Sequence, residues 1–301
     1  EHALIEAARI RYPVLLKAVA GGGGRGMRRV YKASEMKAAF QSASAEASSA
    51  FGNGTMYMEK LITQGRHIEF QVLSDGKRAV VLGERECSIQ RRHQKLLEET
   101  PSLLVSDEQR MQLQETISRV CVQLGYRGAG TVEMLGDADG SLYFMEMNTR
   151  LQVEHTITEE VTGVDLVEHQ LRIAANEPLN VEYNPSGHAI QCRINAEDST
   201  KNFQPKPGTI SRLQWPTMKG LRIDSHLMEG DAVSPHYDSM IAKIIVSAPT
   251  RTEAISKMSS ALQQTHIEGV PTTIPVHQQI LNHPQFQTGH YDTNFLEGLL
   301  P

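Results

Sequence analysis

The sequence predicts an α+β protein, on three observations. Helix-like and strand-like stretches alternate from the start to about residue 175. The dipeptide Asp139-Gly140, the strongest two-residue hairpin signal, stands between two strand-like runs. After Pro178, Asn184 and Pro185 the chain changes character, with short strand-like runs at 189–195, 208–213, 222–226 and 240–246 in antiparallel spacing. A boundary is expected near 181–187.

A length of 301 residues allows two or three domain-sized units. Hydrophobic residues make up 40% and charged ones 22%, the composition of an ordinary globular chain. A formal net charge of -5 argues against a general nucleic-acid binder. No apolar run reaches the length of a membrane span. Glu1 to Ile10 carry two acids and no apolar h-region, so no signal peptide is expected. Cys87, Cys121 and Cys192 are isolated, with no CxxC spacing to suggest a structural zinc or a disulfide framework. A cytosolic compartment is the default expectation.

Residues 2–11 have helical character without an N-cap signal, as if the chain began inside a helix. Tyr12-Pro13 breaks the pattern, and Val14 to Val19 read as a strand with Lys17 among apolar neighbours. The glycine run 21–24 follows, then Arg25-Gly26-Met27. Consecutive glycines cost folding entropy. They suit either a loop whose bare amides close over a phosphate chain or a flexible linker. No Gly-Lys-Ser/Thr follows, so this is not a Walker A motif. Residues 34–50 read as a helix capped by Ser34, ended by Phe51-Gly52-Asn53-Gly54. Strands are expected at 56–62, 66–73 and 79–82.

Glu84 to Lys95 then gathers Arg91, Arg92, His93 and Lys95. Such a run is either a solvated loop, a nucleic-acid patch or a site where arginine forks and a lysine charge neutralise an oxyanion. A helix from Ser106 to Leu124 has Ser106 as N-cap and acids in its first turn. Tyr126 to Gly130 reads as a turn before the strand 131–135. A helix is expected at 165–175 and another, capped by Thr250, at 250–265.

One stretch concentrates polar chemistry: Phe144 to His155. With a period of two, Glu146, Asn148, Arg150, Gln152 and Glu154 share one side, and Met145, Met147, Thr149, Leu151 and Val153 the other. The polar side is either a solvated strand face or a site. Taking Asp139-Gly140 as a two-residue loop and counting outward sets Glu133 opposite Glu146. Facing carboxylates repel unless a cation lies between them, and oxygen ligands without His or Cys favour magnesium over zinc. The alternative is a slipped register with one carboxylate in solvent.

Together, these motifs resemble the biotin carboxylases of the ATP-grasp superfamily. The matching pieces are Tyr12 to Lys17, the Gly21 to Met27 loop, Met58-Glu59-Lys60, Arg66 to Glu69, Gln90 to Lys95, Gly125 to Thr131, Glu146 to His155, Arg193 to Asp198 and Tyr237 to Met240. The likeness covers essentially the whole chain, and the RRHQK and EMNTRLQVEH segments carry its specificity within the superfamily.

The resemblance implies an ATP-grasp domain over 1–184, with a small lid subdomain over about 12–61, and a mainly antiparallel β biotin carboxylase C-terminal domain over 185–301. It implies ATP-dependent carboxylation of biotin on a carrier, through carboxyphosphate formed from bicarbonate. Lys17, Gly23, Gly24, His67 and His93 would contact ATP phosphates or ribose, and Glu59, Lys60, Leu61 and Ile62 would line the adenine pocket. Glu133, Glu146 and Asn148 would bind magnesium or manganese. Lys95, Arg150 and the Val153 backbone would hold bicarbonate, Glu154 would be the base, and Arg193 would stabilise the biotin enolate.

Implied partners are a biotin carboxyl carrier protein or domain, a carboxyltransferase component and, in the complete protein, a second copy in a homodimer. A cytoplasmic setting, or the mitochondrial matrix or plastid in a eukaryote, and a link to fatty acid synthesis also follow. Relative to the family pattern, a Rossmann-like N-terminal domain and a further ATP-binding lysine have no counterpart before Tyr12, and no Met-Lys-Met biotin attachment site is present. The other expectations are another carboxylate–amine ligase of the ATP-grasp group, and a non-catalytic nucleotide-binding fragment that needs that domain for activity.

Overall fold

A computed structural model describes residues 2–20 and 25–299. The glycine run at 21–24, with the phosphate contacts expected of Gly23 and Gly24, lies outside the described residues. The chain forms two compact units, one ending at Thr63 and one starting at Gln64.

The first unit is a three-stranded antiparallel sheet with two helices. β1 (Val14–Ala18) lies between β2 (Met27–Val30) and β3 (Met56–Lys60). α1 (His2–Ile10) and α2 (Ala33–Phe51) belong with it, around a core of Ala7, Val14, Leu16, Val30 and Met36. α2 is not capped by Ser34: it starts at Ala33, and Lys32 at the cap supplies no side-chain bond. The carboxylate of Glu35 instead accepts from the Tyr31 N–H at 3.0 Å, tying the first turn to the end of the preceding strand. Gly52, at φ 70°, ends the helix in the left-handed conformation.

The second unit is built on an eight-stranded sheet in which every strand pair is antiparallel. Its strands are β4 (Arg66–Asp75), β5 (Ala79–Arg91), β6 (Gln94–Thr100), β7 (Arg127–Gly136), β8 (Leu142–Asn148), β9 (His188–Asn195), β10 (Leu221–Asp224) and β11 (Met240–Ala248). The spatial order is β10-β11-β9-β6-β5-β4-β7-β8. The stretch 84–95 is therefore no loop: β5 runs through Arg91, and Arg92 and His93 form a tight tip before β6. Likewise, Arg127 to Gly130 is already strand, paired with β4.

Alternation along β4 explains where the polar site lies. Ile68, Phe70 and Val72 join a core with Ile117 and Cys121 of α3 (Asp107–Gln123). Glu69 and Gln71 must then face the other way. α3 opens with a capping box in which Ser106 and Gln109 satisfy each other's backbone N–H groups. The last part of the chain packs α6 (Arg251–Gln264) and α7 (Ile274–Asn282) on β9 and β11, around Ile194, Ile244, Met258 and Ile280. The short helices α8 (Pro284–Thr288) and α9 (Phe295–Leu299) follow, while α4 (His155–Thr162) and α5 (Leu166–Ala174) lie between β8 and β9 in sequence.

The β7–β8 hairpin pairs Glu133 with Glu146, by a different route from the two-residue loop expected. The closing pair is Gly136 with Leu142, and Asp137 N–H bonds to the Ser141 carbonyl at 2.9 Å. That shifts the register by one residue, and a bulge at Met145 shifts it back. Met145 is consequently exposed rather than set on the core, while Met147 packs inward. β8 ends at Asn148, so Arg150, Gln152 and Glu154 do not continue its alternating face. The chain turns instead, and Glu154 becomes the cap position of α4.

Candidate active site

A row of directly opposed residues crosses four strands: Arg85 on β5, Glu69 on β4, Glu133 on β7 and Glu146 on β8. Opposed residues share a face of the sheet, so this row puts three carboxylates and one guanidinium side by side. Arg85 is fully buried and spends its fork on that face. Its Nε meets Glu69 Oε1 at 2.6 Å, and its terminal nitrogens donate to Gln71 at 2.7 Å and Thr158 at 2.9 Å.

Lys95 joins this row to the turn before α4. Its Nζ lies 2.5 Å from Glu69 Oε2, 2.6 Å from Glu154 Oε1 and 3.4 Å from Glu133 Oε1. Burial disfavours its ammonium, but the carboxylates, Glu69 foremost, outweigh that and hold it well above the ordinary lysine value. Burial likewise opposes ionisation of Glu69, and Lys95 and Arg85 overcome it, holding the carboxyl well below the usual range.

Arg193, on β9, grips the other oxygen of Glu154 at 2.8 Å and also Glu98 at 2.5 Å. Burial pushes Glu98 up, Arg193 opposes this, and the charge of Glu154 adds to the rise. Glu133 is further bonded by Gln152 Nε2 at 2.9 Å and Asn148 Nδ2 at 3.0 Å. Its desolvation is outweighed by His67, Lys95 and Gln152, which bring it down to about 2. The His67 Nε2 stands 3.3 Å from Glu133 Oε2 without hydrogen-bond alignment. His67 itself is fixed through its backbone, whose N–H donates to Ser88 Oγ at 2.8 Å.

Of the residues singled out from the sequence, Lys95, Glu133, Asn148, Glu154, Arg193 and His67 form one contact network. Glu146 stands beside Glu133 in register but is exposed. Arg150 is exposed and donates to the neighbouring Leu151 carbonyl at 3.4 Å. His93 is exposed at the β5–β6 tip, where Arg92 and His93 adopt φ values of 50° and 67°. The Val153 carbonyl accepts from Lys243 at 3.2 Å. In the first unit, Lys17 pairs with Glu59 at 2.8 Å and lies over the Tyr57 ring. Lys60 donates to the Arg11 and Tyr12 carbonyls at 3.0 and 3.1 Å, and Leu61 N–H to the Pro13 carbonyl at 3.1 Å. Ile62 follows β3 and is half-buried.

Glu69, Gln71, Arg85 and Glu98 were not among the expected site residues, and Gln152 was expected only as part of the polar side of the 144–155 stretch. The alternation of residues 66–73 offers a signal for Glu69 and Gln71. Arg85 gives none, because its partners lie at 69, 71, 131, 152 and 158. Cys87 also lies here: its Sγ, one Glu69 oxygen and one Glu154 oxygen lie within 4.8 Å of one another. Burial, then the charge of Glu69, pushes its thiol well above the ordinary value.

Residues 1–182 match the family described as "Carbamoyl-phosphate synthase L chain, ATP binding domain", and residues 191–298 match "Biotin carboxylase C-terminal domain". The chain is 50% identical over 292 residues to a biotin carboxylase of Nostoc, covering 96% of this chain and 65% of the relative. It is 48% identical over 301 residues to biotin carboxylase 2 of Bacillus subtilis, covering 99% and 68%. A crystal structure of the Campylobacter jejuni biotin carboxylase in a β,γ-ATP complex superposes with a TM-score of 0.91 at 46% identity, covering 97% of this chain and 66% of that one. The biotin carboxylase domain dimer of Hydrogenobacter thermophilus 2-oxoglutarate carboxylase, solved with MgADP, ADP and bicarbonate, gives a TM-score of 0.90 at 47% identity, covering 98% and 66%. The chain thus spans about two thirds of the length of the curated relatives it matches, 65% for the Nostoc protein.

Proposed function

The chain belongs to the biotin carboxylase family, and from that premise we propose that it serves ATP-dependent carboxylation of biotin with bicarbonate. The observation that carries the proposal is the position of Glu154. Its two oxygens are held by Lys95 and Arg193, within a cluster that also contains Glu133 and Asn148. Two cations at one carboxylate also attract an anionic substrate, and set it within reach of that carboxylate.

In this reading, Lys95, Arg150 and the Val153 backbone hold bicarbonate while Glu154 takes its proton. A bicarbonate oxygen then attacks the γ-phosphorus of ATP, the bond to ADP breaks, and carboxyphosphate forms. Its C–O bond next breaks to carbon dioxide and phosphate. The phosphate takes the proton from biotin N1, whose electron pair captures the carbon dioxide. Arg193 stabilises the enolate oxygen of the ionised biotin. Lys17, Gly23, Gly24, His67 and His93 are assigned to ATP phosphates or ribose, and Glu59, Lys60, Leu61 and Ile62 to adenine.

The donor set fits a hard divalent cation. Glu69, Glu98, Glu133 and Glu154 face Lys95, Arg85 and Arg193, leaving acids in excess, and Glu146 adds another beside Glu133. Glu133, Glu146 and Asn148 would hold magnesium or manganese, which when bound neutralises charge on the transferring phosphoryl group.

The domain scheme proposed is an ATP-grasp domain to residue 184, with a lid over about 12–61, and a biotin carboxylase C-terminal domain from 185. A biotin carrier, a carboxyltransferase, a homodimeric partner and a role in fatty acid synthesis are proposed with it. A cytoplasmic or organelle-matrix setting is compatible with one fact: no described helix is long and apolar enough to cross a membrane.

The test is ATP-dependent transfer of label from 14C-bicarbonate to free biotin, with the chain alone and with the chain extended to its relatives' length. Transfer by either form that is abolished in Glu154→Gln supports the reading. Turnover driven by ammonia or an amino acid without biotin would replace it with a carboxylate–amine ligase. Nucleotide binding by both forms without turnover would leave a binding module.

A further inference from the structure

Val153 and Glu154 are consecutive, and each is held by a cation from a neighbouring strand. Arg193 on β9 bonds the Glu154 carboxylate at 2.8 Å, and Lys243 on β11 donates to the Val153 carbonyl at 3.2 Å. Arg193 and Lys243 are direct partners across the β9–β11 ladder, and Lys243 is in turn opposite Asp224 on β10. Directly opposed residues point to the same face. Asp224, Lys243 and Arg193 therefore form a second cross-strand row, aimed at the 152–154 turn.

The position of Lys243 is fixed on both sides. Its Nζ lies 3.2 Å from Asp224 Oδ2, and Asp224 is itself held by Arg222 at 2.8 Å. Arg222 reaches on to Glu159 of α4 at 2.7 Å. The turn is closed from inside as well: the His155 ring meets the Gln152 carbonyl at 2.8 Å, and Gln152 donates to Glu133 at 2.9 Å. A planar trans peptide points its N–H opposite its C=O. Anchoring the Val153 carbonyl thus sets the direction of the Glu154 N–H, at the amino end of α4, where the next N–H, that of His155, is already taken by the Gln152 carbonyl at 3.3 Å. A cation on the carbonyl also polarises the peptide, making the N–H at its other end a better donor.

We propose that Lys243 is a positioning residue for bicarbonate: it holds the Val153–Glu154 peptide so that the turn presents the N–H of that peptide to the anion beside Lys95 and Arg150. The proposal rests on the reading of this turn as the bicarbonate pocket. It assigns Lys243 no contact with the reacting atoms. A purely structural alternative makes Lys243 the counter-ion of Asp224 and nothing more, so the two differ in what removing the amine does to bicarbonate alone.

The experiment measures KM for bicarbonate and for ATP in bicarbonate-dependent ATP hydrolysis by wild type, Lys243→Met and Lys243→Arg, with thermal midpoints of all three. Line broadening of 13C-bicarbonate is recorded on the same samples. Lys243→Met should raise KM for bicarbonate by about tenfold, the order expected from losing a charged hydrogen bond, and reduce the line broadening. KM for ATP should stay unchanged, and Lys243→Arg should recover most of the bicarbonate affinity. An unchanged bicarbonate KM in Lys243→Met, with wild type saturating normally, overturns the inference and leaves the functional reading standing. A parallel rise of both KM values with a lowered melting point, unrelieved by arginine, also overturns it, in favour of the structural role. Wild type showing neither bicarbonate dependence nor line broadening, both as the chain alone and extended to its relatives' length, overturns the reading and the inference together.

Discussion

Lys95 Nζ lies 2.6 Å from Glu154 Oε1 while the same ammonium lies 2.5 Å from Glu69 Oε2. One lysine thus ties the carboxylate row of β4 and β7 to the turn before α4. Removing it as Lys95→Met leaves Glu69 and Glu154 short of a cation in a buried setting. Stability should fall by about 3 kcal/mol, the range for breaking a buried ion pair from one side, read as a lower urea midpoint. Lys95→Arg should keep most of the stability, because the buried carboxylates keep a cation, but not the activity, because a larger planar fork does not leave an anion the place beside a compact ammonium.

Glu99 predicts the acid limit of the second unit. It is buried, with His188 at 2.7 Å and Arg251 at 2.7 and 3.0 Å, and Tyr291 bonds it too. Burial works against its charge, but His188 and Arg251 prevail and bring it down from 4.5 to about 2. A carboxylate lowered in the fold adds stability that is complete above its unfolded value and is lost as pH falls from 4.5 towards 2. Glu99→Gln should lower the melting temperature at pH 7 and flatten its pH dependence in that window. An unchanged acid profile would contradict the assignment.

His277 acts in the opposite protonation sense. It is fully buried, its Nε2–H donates to the Arg193 carbonyl at 2.7 Å, and desolvation brings it down from 6.5 to about 4. The fold favours the neutral ring, so its contribution is complete above pH 6.5 and fades as pH falls towards 4. His277→Leu should remove the buried titrating ring and with it the stability slope between those values, followed by thermal melts at stepped pH.

Ser106 accepts from Gln109 N–H at 3.2 Å, and Gln109 Oε1 accepts from Ser106 N–H at 3.1 Å. Ser106→Ala should cost about 1 kcal/mol of stability, with catalysis unaffected. A change in substrate KM would place α3 nearer the chemistry than its packing against β5 implies.

These elements differ in how far the sequence discloses them. The capping box at Ser106 and the cap at Thr250 are local, so spacing alone reveals both. The Glu133–Glu146 pair is half-local. Asp139-Gly140 marks the hairpin, but the looser loop and the Met145 bulge cancel in the count, a compensation invisible before the strands pair. The polar alternation from Glu146 to Glu154 misleads, because it continues past the end of β8 into a turn. The longest-range feature is the least visible. Arg85 draws its partners from four other segments, and Lys243 reaches Val153 over 90 residues. Motif resemblance identifies the family and suggests roles, but not the two cross-strand rows on which those roles depend.

The proposed reaction begins with attack by bicarbonate on the γ-phosphorus of ATP in the pocket around Glu154. The direct measurement is the isotopic composition of phosphate released from ATP with 18O-bicarbonate and biotin, using the form of the protein that turns over. Attack by bicarbonate followed by C–O cleavage leaves one bicarbonate oxygen on each phosphate. One 18O is expected in each phosphate released. Unlabelled phosphate, with water supplying the oxygen, would contradict it.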